Sequence, residues 1–434
     1  MRIETVYFRD FSPFADAQIT FPKVETPGKG ELHLLVGQNG TGKTRLLSLL
    51  AAALGNRAEL NLRSEGDGKN SSFVVGDFGN AVGVWGADVN AACWTTATEV
   101  NSIVTRFLSK EAMGYVQSLN FQTALSRSAK ADPSTALAFR GTSRVSDADI
   151  VAMNPVKLGE LSTWLLFDHT LETDRLIGQI MANITVGAGM ESRWTTKGFM
   201  GRATRIAKRL EEAISVVTGR PFGFIVDPHP KIALKVYWGG VPMMLKQLPD
   251  GLRSIIGWLV SCVAKVSAIH ADHEDPLSLP LILLLDEPES HLHPAWQRKV
   301  LPAAQSLFPQ AQMFVATHSP FVISSANDGW IHVLRANEAG VVTFDEPKPC
   351  SKGDTWIDAV EDSLGITEWY DPETEELLKQ FRTLKPIALG TPDGAQKYRE
   401  MAATIAARSD SLSNLMGREL HQFERQLEQK RASA

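Results

Sequence analysis

The octapeptide GQNGTGKT, residues 37–44, constrains the fold more than any other stretch of the 434-residue chain. It fits G-x-x-x-x-G-K-[ST] at every fixed position. The apolar run ELHLLV (31–36) precedes it and reads as a short buried strand. KTRLLSLLAAAL follows and reads as a helix that Gly55 ends. Strand, glycine-rich loop and helix in this order point to an α/β fold with a phosphate cradle. The glycines let backbone N–H groups close around phosphate oxygens, and the helix N-terminus adds partial positive charge. The expected nucleotide-binding set is Gly37, Gln38, Asn39, Gly40, Thr41, Gly42, Lys43, Thr44 and Arg45. Lys43 would reach the β- and γ-phosphates of ATP, and Thr44 would offer its hydroxyl to Mg²⁺.

A second strong signal is LILLLDEPESHLHP, residues 281–294. A buried apolar strand there ends in Asp286 and Glu287. Asp286 is placed to hold Mg²⁺, directly or through water. Glu287 is placed to polarise an attacking water. His291 and His293 stand two positions apart in a loop with no third partner near, a poor zinc set. FVATHSP follows another apolar strand and puts His318 at a strand end, where ligands bind in open α/β sheets. That position suits sensing or positioning the γ-phosphate. Phe8, Phe11 and Phe14 are candidates for contact with adenine.

Roughly 240 residues separate Lys43 from Asp286, too many for a P-loop domain without an inserted domain. With that spacing, GQNGTGKT, DEPESHLHP and THSP resemble the ABC-type ATPase heads of the SMC, RecF and OLD families. The resemblance covers about residues 1–325 apart from the insertion. It implies Mg²⁺-dependent ATP hydrolysis by Glu287 and His318. It also implies a Leu-Ser-x-Gly signature before the acidic strand, which touches the γ-phosphate held by a second subunit. QLPDGLRS, residues 247–254, occupies that place. Leu248 and Gly251 fit, but Pro249 stands where the serine would be and offers neither a hydroxyl nor an N–H. Gly251 and the following helix N-terminus can still supply backbone donors. Asp250 either caps that helix or repels a phosphate it faces. Arg253 and Ser254 are candidate substitutes for the lost contact. A plain N-capped turn is the other reading of the same residues. The implied assembly is a homodimer or larger, with slow turnover.

The insertion carries no sustained heptads, so a compact helical subdomain is expected rather than a coiled coil. The expected layout is an ATPase head in two parts, 1–90 and 219–348, a helical insertion at 91–218 and a helical tail at 349–434. Residues 193–209 hold Arg193, Lys197, Arg202, Arg205, Lys208 and Arg209. This run is either a contact for nucleic-acid phosphates or, as the net charge of −5 favours, a solvated helix face. In the tail, DPETEELLKQFRTL places Asp371 as N-cap and Pro372 at the first helical position. Two further charged helices follow, suited to docking another protein.

OLD nucleases continue into a Toprim domain, and no such pattern follows His318, so no nuclease site is expected here. An ATPase with a helical tail resembles the PtuA family of Septu anti-phage systems and its retron counterparts. That resemblance implies a separate nuclease partner, of HNH type, docking on the tail. A RecF-like DNA-repair clamp and a module that holds ATP with little hydrolysis are the rival readings. MRIETVYFRDF lacks an apolar signal region, and the longest apolar runs are too short to cross a bilayer. Cys93, Cys262 and Cys350 are odd in number and widely spaced, as for free thiols. A cytoplasmic location away from membranes is the expectation.

Overall fold

The apolar runs at 31–36, 281–285 and 312–316 lie side by side as parallel strands under the glycine-rich loop. The computed structural model describes residues 2–9, 11–24, 26–54, 73–77, 82–86, 136–140, 171–194, 201–227, 233–350, 353, 355–365 and 369–432. The chain divides into two compact units, Met1–Leu364 and Gly365–Ala434.

The first unit is built on a mixed sheet. Its strands are β3 (Glu31–Gly37), β6 (Ala136–Arg140), β10 (Leu281–Asp286), β11 (Ala311–Thr317), β12 (Trp330–Ala336) and β13 (Val342–Phe344), in the order β13-β12-β3-β11-β10-β6. β12, β3, β11, β10 and the edge strand β6 run parallel, while β13 and the two-residue strand β14 (Lys348–Pro349) pair antiparallel with β12. Continuous apolar runs form such strands because both faces are covered. Along β10, Leu281, Leu283 and Leu285 enter one core while Ile282 and Leu284 enter the other. Leu32, Leu34 and Val36 of β3 share the first core, and Leu35 joins the second. Helix α1 (Lys43–Ala53) fills the second core with Leu46, Leu47, Leu49 and Leu50, all fully buried. Each such leucine stabilises the fold by about 1.5–3 kcal/mol.

Two smaller sheets flank this layer. β1 (Thr5–Arg9), β2 (Ala17–Thr20), β4 (Phe73–Asp77) and β5 (Val82–Gly86) pair antiparallel in the order β2-β1-β4-β5. β7 (Phe222–Asp227), β8 (Ala233–Trp238) and β9 (Val241–Met244) form a meander.

Between 91 and 218 the described residues include two helices, α2 (Leu171–Trp194) and α3 (Arg202–Thr218). The helical expectation for this segment needs one correction, because residues 136–140 form β6 and join the main sheet beside β10. ALAFR is five residues long, and so short an apolar run carries neither period clearly. Cys93, Lys197 and the side chain of Arg193 lie outside the described residues.

Helix α3 buries Ile206, Leu210, Ile214 and Val217 on one face. Its cations are partly engaged inside the protein. Arg202 donates to the carbonyls of Ser267, His270 and His273, which cluster at the end of helix α4 (Asp250–Ile269). Arg209 pairs with Asp275 at 2.8 Å and donates to Ser278 at 3.0 Å. Lys208 is exposed.

In the second unit, α6 (Pro372–Ala388), α7 (Pro392–Ala406) and α8 (Asp410–Ala432) follow one another. The Asp371 carboxylate accepts from the Thr374 N–H at 3.1 Å, with Pro372 at the first helical position. Tyr398 stacks on Phe381 at 4.1 Å and packs on Phe423 at 4.4 Å, which makes the centre of this unit's own core.

Candidate functional site

The glycine-rich loop leaves β3 with two left-handed glycines, Gly40 at φ 84° and Gly42 at φ 82°. Gly42 also lies close against Phe14, where an added Cβ would come within 2.8 Å of the ring. Gln38, Asn39 and Gly40 are exposed, so the loop's outer N–H groups open to solvent. Lys43 folds inward and donates to the carbonyls of Gly37 (2.8 Å) and Gln38 (2.9 Å). Burial pushes its ammonium below the usual lysine value, against the pull of Glu287, Asp286 and Glu289. Arg45 lies on the first turn of α1, half-buried.

The parallel register brings β10 to the same end of the sheet. The Thr44 hydroxyl donates to both oxygens of Asp286, at 3.0 and 3.1 Å. Burial raises the Asp286 carboxyl above the usual range, and the Thr44 hydrogen bond and Arg140 oppose it. A hydroxyl and a carboxylate in contact beside a phosphate cradle are the hard oxygen donors that Mg²⁺ takes, so the residues fit that ion. Glu287 follows with φ 49°, a backbone region costly for a residue with a side chain. Its carboxylate lies 3.0 Å from Nδ1 of His318, so the ends of β10 and β11 are joined through the two expected catalytic residues.

Beneath them is a network that the sequence does not reveal. Glu289 is 4 % exposed and receives the Thr317 hydroxyl on Oε1. Its Oε2 has no hydrogen-bond partner among the described residues. Burial pushes this carboxyl up to about 7, with Thr317 opposing and Glu287 and Asp286 adding to it. Thr317 also accepts the Ser319 N–H, and the Ser319 hydroxyl reaches Gln297 at 2.6 Å. His318 is therefore flanked by two tethered residues.

The segment 247–254 divides by exposure. Leu248 and Ser254 lie in the core at 4 % and 1 % exposed, whereas Pro249 and Asp250 are exposed and Gly251 and Arg253 half-buried. Pro249, not Asp250, is the N-cap of α4, and it makes no side-chain cap. Asp250 sits in the first turn and pairs with Arg253 at 3.4 Å. Gly251 packs inside its own subunit. A Cβ there would stand 2.9 Å from the His291 carbonyl oxygen and 3.4 Å from the Trp296 ring. Gly251→Ala should therefore cost about 1–3 kcal/mol of stability, through overpacking against backbone, read by denaturant unfolding without nucleotide.

One further expectation changes. Phe8, Phe11 and Phe14 are 0 %, 2 % and 6 % exposed and share a core with Leu46 and Leu50, so none presents a free ring face to adenine. His293 Nδ1 accepts the Ala295 N–H and so caps α5 (Pro294–Leu307). Arg140, unremarked in the sequence, pairs with Asp286 at 3.5 Å from the end of β6.

Residues 228–324 match the family described as "AAA domain, putative AbiEii toxin, Type IV TA system". The matched segment holds β10, β11, Asp286, Glu287 and His318, so the likeness to that AAA domain falls on the acidic half of the site. The chain is similar to the Retron Ec83 probable ATPase of Escherichia coli, with 23 % identity over 43 % of this chain and 31 % of the relative. It is also similar to the Retron Vc95 probable ATPase of Vibrio cholerae serotype O1 biovar El Tor, with 25 % identity over 46 % of this chain and 38 % of the relative. Septu protein PtuA of Bacillus mycoides (strain KBAB4) matches at 31 % identity over 30 % of this chain and 18 % of that protein. These matches thus span less than two fifths of each relative's length. Among solved structures, an SMC head bound to the C-winged helix domain of ScpA aligns over 80 % of this chain and 98 % of its own. Its TM-score is 0.42 and its identity 15 %.

Proposed function

We propose that this protein is a slow, Mg²⁺-dependent ATPase that pairs its heads through ATP and governs a separate nuclease effector in anti-phage defence. The observation that carries the ATPase reading is the single cluster made by Lys43, Thr44, Asp286, Glu287 and His318 at one end of the sheet. The defence reading draws on the similarity to retron and Septu ATPases.

In this reading Lys43 exchanges the loop carbonyls for phosphate oxygens, and the exposed N–H groups of the loop complete the cradle. Thr44 and Asp286 would hold Mg²⁺, which would supply positive charge against the phosphates. Glu287 accepts a proton from the water that attacks the γ-phosphoryl group. His318, held beside it by the Thr317 and Ser319 tethers, orients that carboxylate. The exposed N-terminus of α4 faces outward as the surface for a second head, with Pro249 in place of a hydroxyl donor. The tail unit offers charged helices to an effector.

A DNA-repair clamp would draw on the basic run, but Arg202 and Arg209 are engaged within the subunit. ATPase activity indifferent to added DNA would fit the defence reading. A pull-down from the native host, with mass spectrometry for protein and sequencing for nucleic acid, tests the choice of partner. Recovery of DNA without a nuclease would overturn the defence reading.

Pro249→Ser separates the interface from the helix start. A serine N-cap should raise stability by about 0.5–2 kcal/mol with or without nucleotide. If α4 also meets a second head, Pro249→Ser should in addition raise the ATP·Mg²⁺-dependent increase in solution mass, or the turnover. A gain in stability alone returns the segment to a helix start. Gly251 variants are unsuited to the question, because their loss of packing would mimic a lost interface.

A further inference from the structure

Arg140 ends β6, directly opposite Asp286 in the parallel register of β6 and β10. Its guanidinium lies 3.5 Å from Asp286 Oδ2, and the Thr44 hydroxyl contacts both oxygens of the same carboxylate. The residue that would hold the metal is thus already matched by a positive charge from the neighbouring strand. Arg140 is 26 % exposed along its side chain and Asp286 7 %, so the cation stands on the solvent side of a nearly buried acid. Glu287 and Glu289 lie close enough to act electrostatically on the same carboxylate and on Lys43. Lys43, Asp286 and Glu287 therefore act on one another electrostatically, one basic group against two acidic ones, with the buried Glu289 carboxyl beneath them. Without a further cation, that balance repels a polyphosphate.

We propose that Arg140 is the resident counter-charge of Asp286, which lets nucleotide enter the cradle before a divalent cation is bound. A guanidinium suits this role because it stays protonated and is only weakly hydrated, so it can give up the carboxylate without a large desolvation change. Once the metal is held by Thr44 and Asp286, Arg140 is released from its partner and its charge is redundant for affinity. The sequence hides this residue, because it sits in a segment whose pattern suggests helix and whose strand is five residues long. The inference rests on the nucleotide-site reading above and adds the order in which charge is balanced there.

The test is binding of a fluorescent ATP analogue to wild type, Arg140→Gln and Arg140→Lys, in EDTA and in saturating Mg²⁺. Arg140→Gln should weaken binding on the order of tenfold in EDTA and much less in Mg²⁺, because only the metal-free site loses its counter-charge. It should also lower the Mg²⁺ concentration needed for half-maximal effect, since Arg140 no longer competes for Asp286. Arg140→Lys should restore most of the metal-free affinity. Equal weakening in both conditions, or none in either, would overturn the proposal, as would a wild type that binds only with metal. Failure of wild type to bind in saturating Mg²⁺ would instead sink the nucleotide-site reading itself. Thermal melts of the three proteins identify a variant that has simply lost its fold.

Discussion

Glu287→Gln should lower steady-state ATP turnover by about 10²–10⁴-fold while ATP·Mg²⁺ binding persists. The substitution is close to isosteric and removes the carboxylate proposed to take a proton from the attacking water. The backbone at this position has φ 49°, a conformation as costly for glutamine as for glutamate, so the swap leaves that cost unchanged. An amide can also keep the hydrogen bond to His318 Nδ1, now 3.0 Å from Oε1. Phosphate release assays measure turnover, and fluorescent-analogue titration measures binding. If the variant keeps more than about a tenth of wild-type turnover, a range well above the loss of a general base, Glu287 is not the base. If heads pair through ATP, the same variant should accumulate the heavier species in ATP·Mg²⁺, because it binds and does not release.

The second large effect concerns Glu289. In the folded protein its carboxyl keeps a proton up to about pH 7, whereas its ordinary value is 4.5. Between those values the folded state binds more protons than the unfolded chain. The stability tied to this group is therefore full below pH 4.5, falls as pH rises, and is gone above about pH 7. The gap corresponds to about 3 kcal/mol. Glu289→Gln removes the titration. The difference in unfolding free energy between variant and wild type should shift by about 3 kcal/mol toward the variant between pH 4.5 and 7.5. Denaturant unfolding of nucleotide-free protein measures it, and a difference that stays flat with pH would contradict the buried, protonated Glu289. Buried His332 on β12, whose Nε2 lies 3.1 Å from His33 Nδ1 on β3, does not confuse the comparison. Burial holds His332 down to about 3, so its contribution is lost as pH falls below 6.5, equally in both proteins.

Much of this site was legible in the sequence, for physical reasons. GQNGTGKT has few structural alternatives, because two of its glycines must adopt positive φ and its lysine must start a helix. LILLL could be read as a buried strand because it is apolar at every position and ends at acids, and QMFVA because it is apolar after Gln312 and ends two residues before His318. Asp371 and Pro372 announced the start of α6 through capping chemistry alone. The less legible features depend on what lies across space. Phe8, Phe11 and Phe14 have the composition of either a ligand shelf or a core, and only packing decides between them. Arg140 and Glu289 take their meaning from Asp286 and Thr317, residues that no local pattern pairs with them. Pro249 was visible as a departure from the signature, but the demand on Gly251 from within the subunit was not.

That demand has a mechanical side. The same short loop carries Glu287 at one end and, four residues on, the His291 carbonyl against which Gly251 is pressed. Both loop residues hold positive φ, at 49° and 66°, so neither has slack to absorb a displacement. A close-packed contact of this kind transmits strain rather than damping it. If the Glu287 carboxylate moves during ATP turnover, the His291–Gly251 approach is the route by which the exposed tip of α4 would move with it.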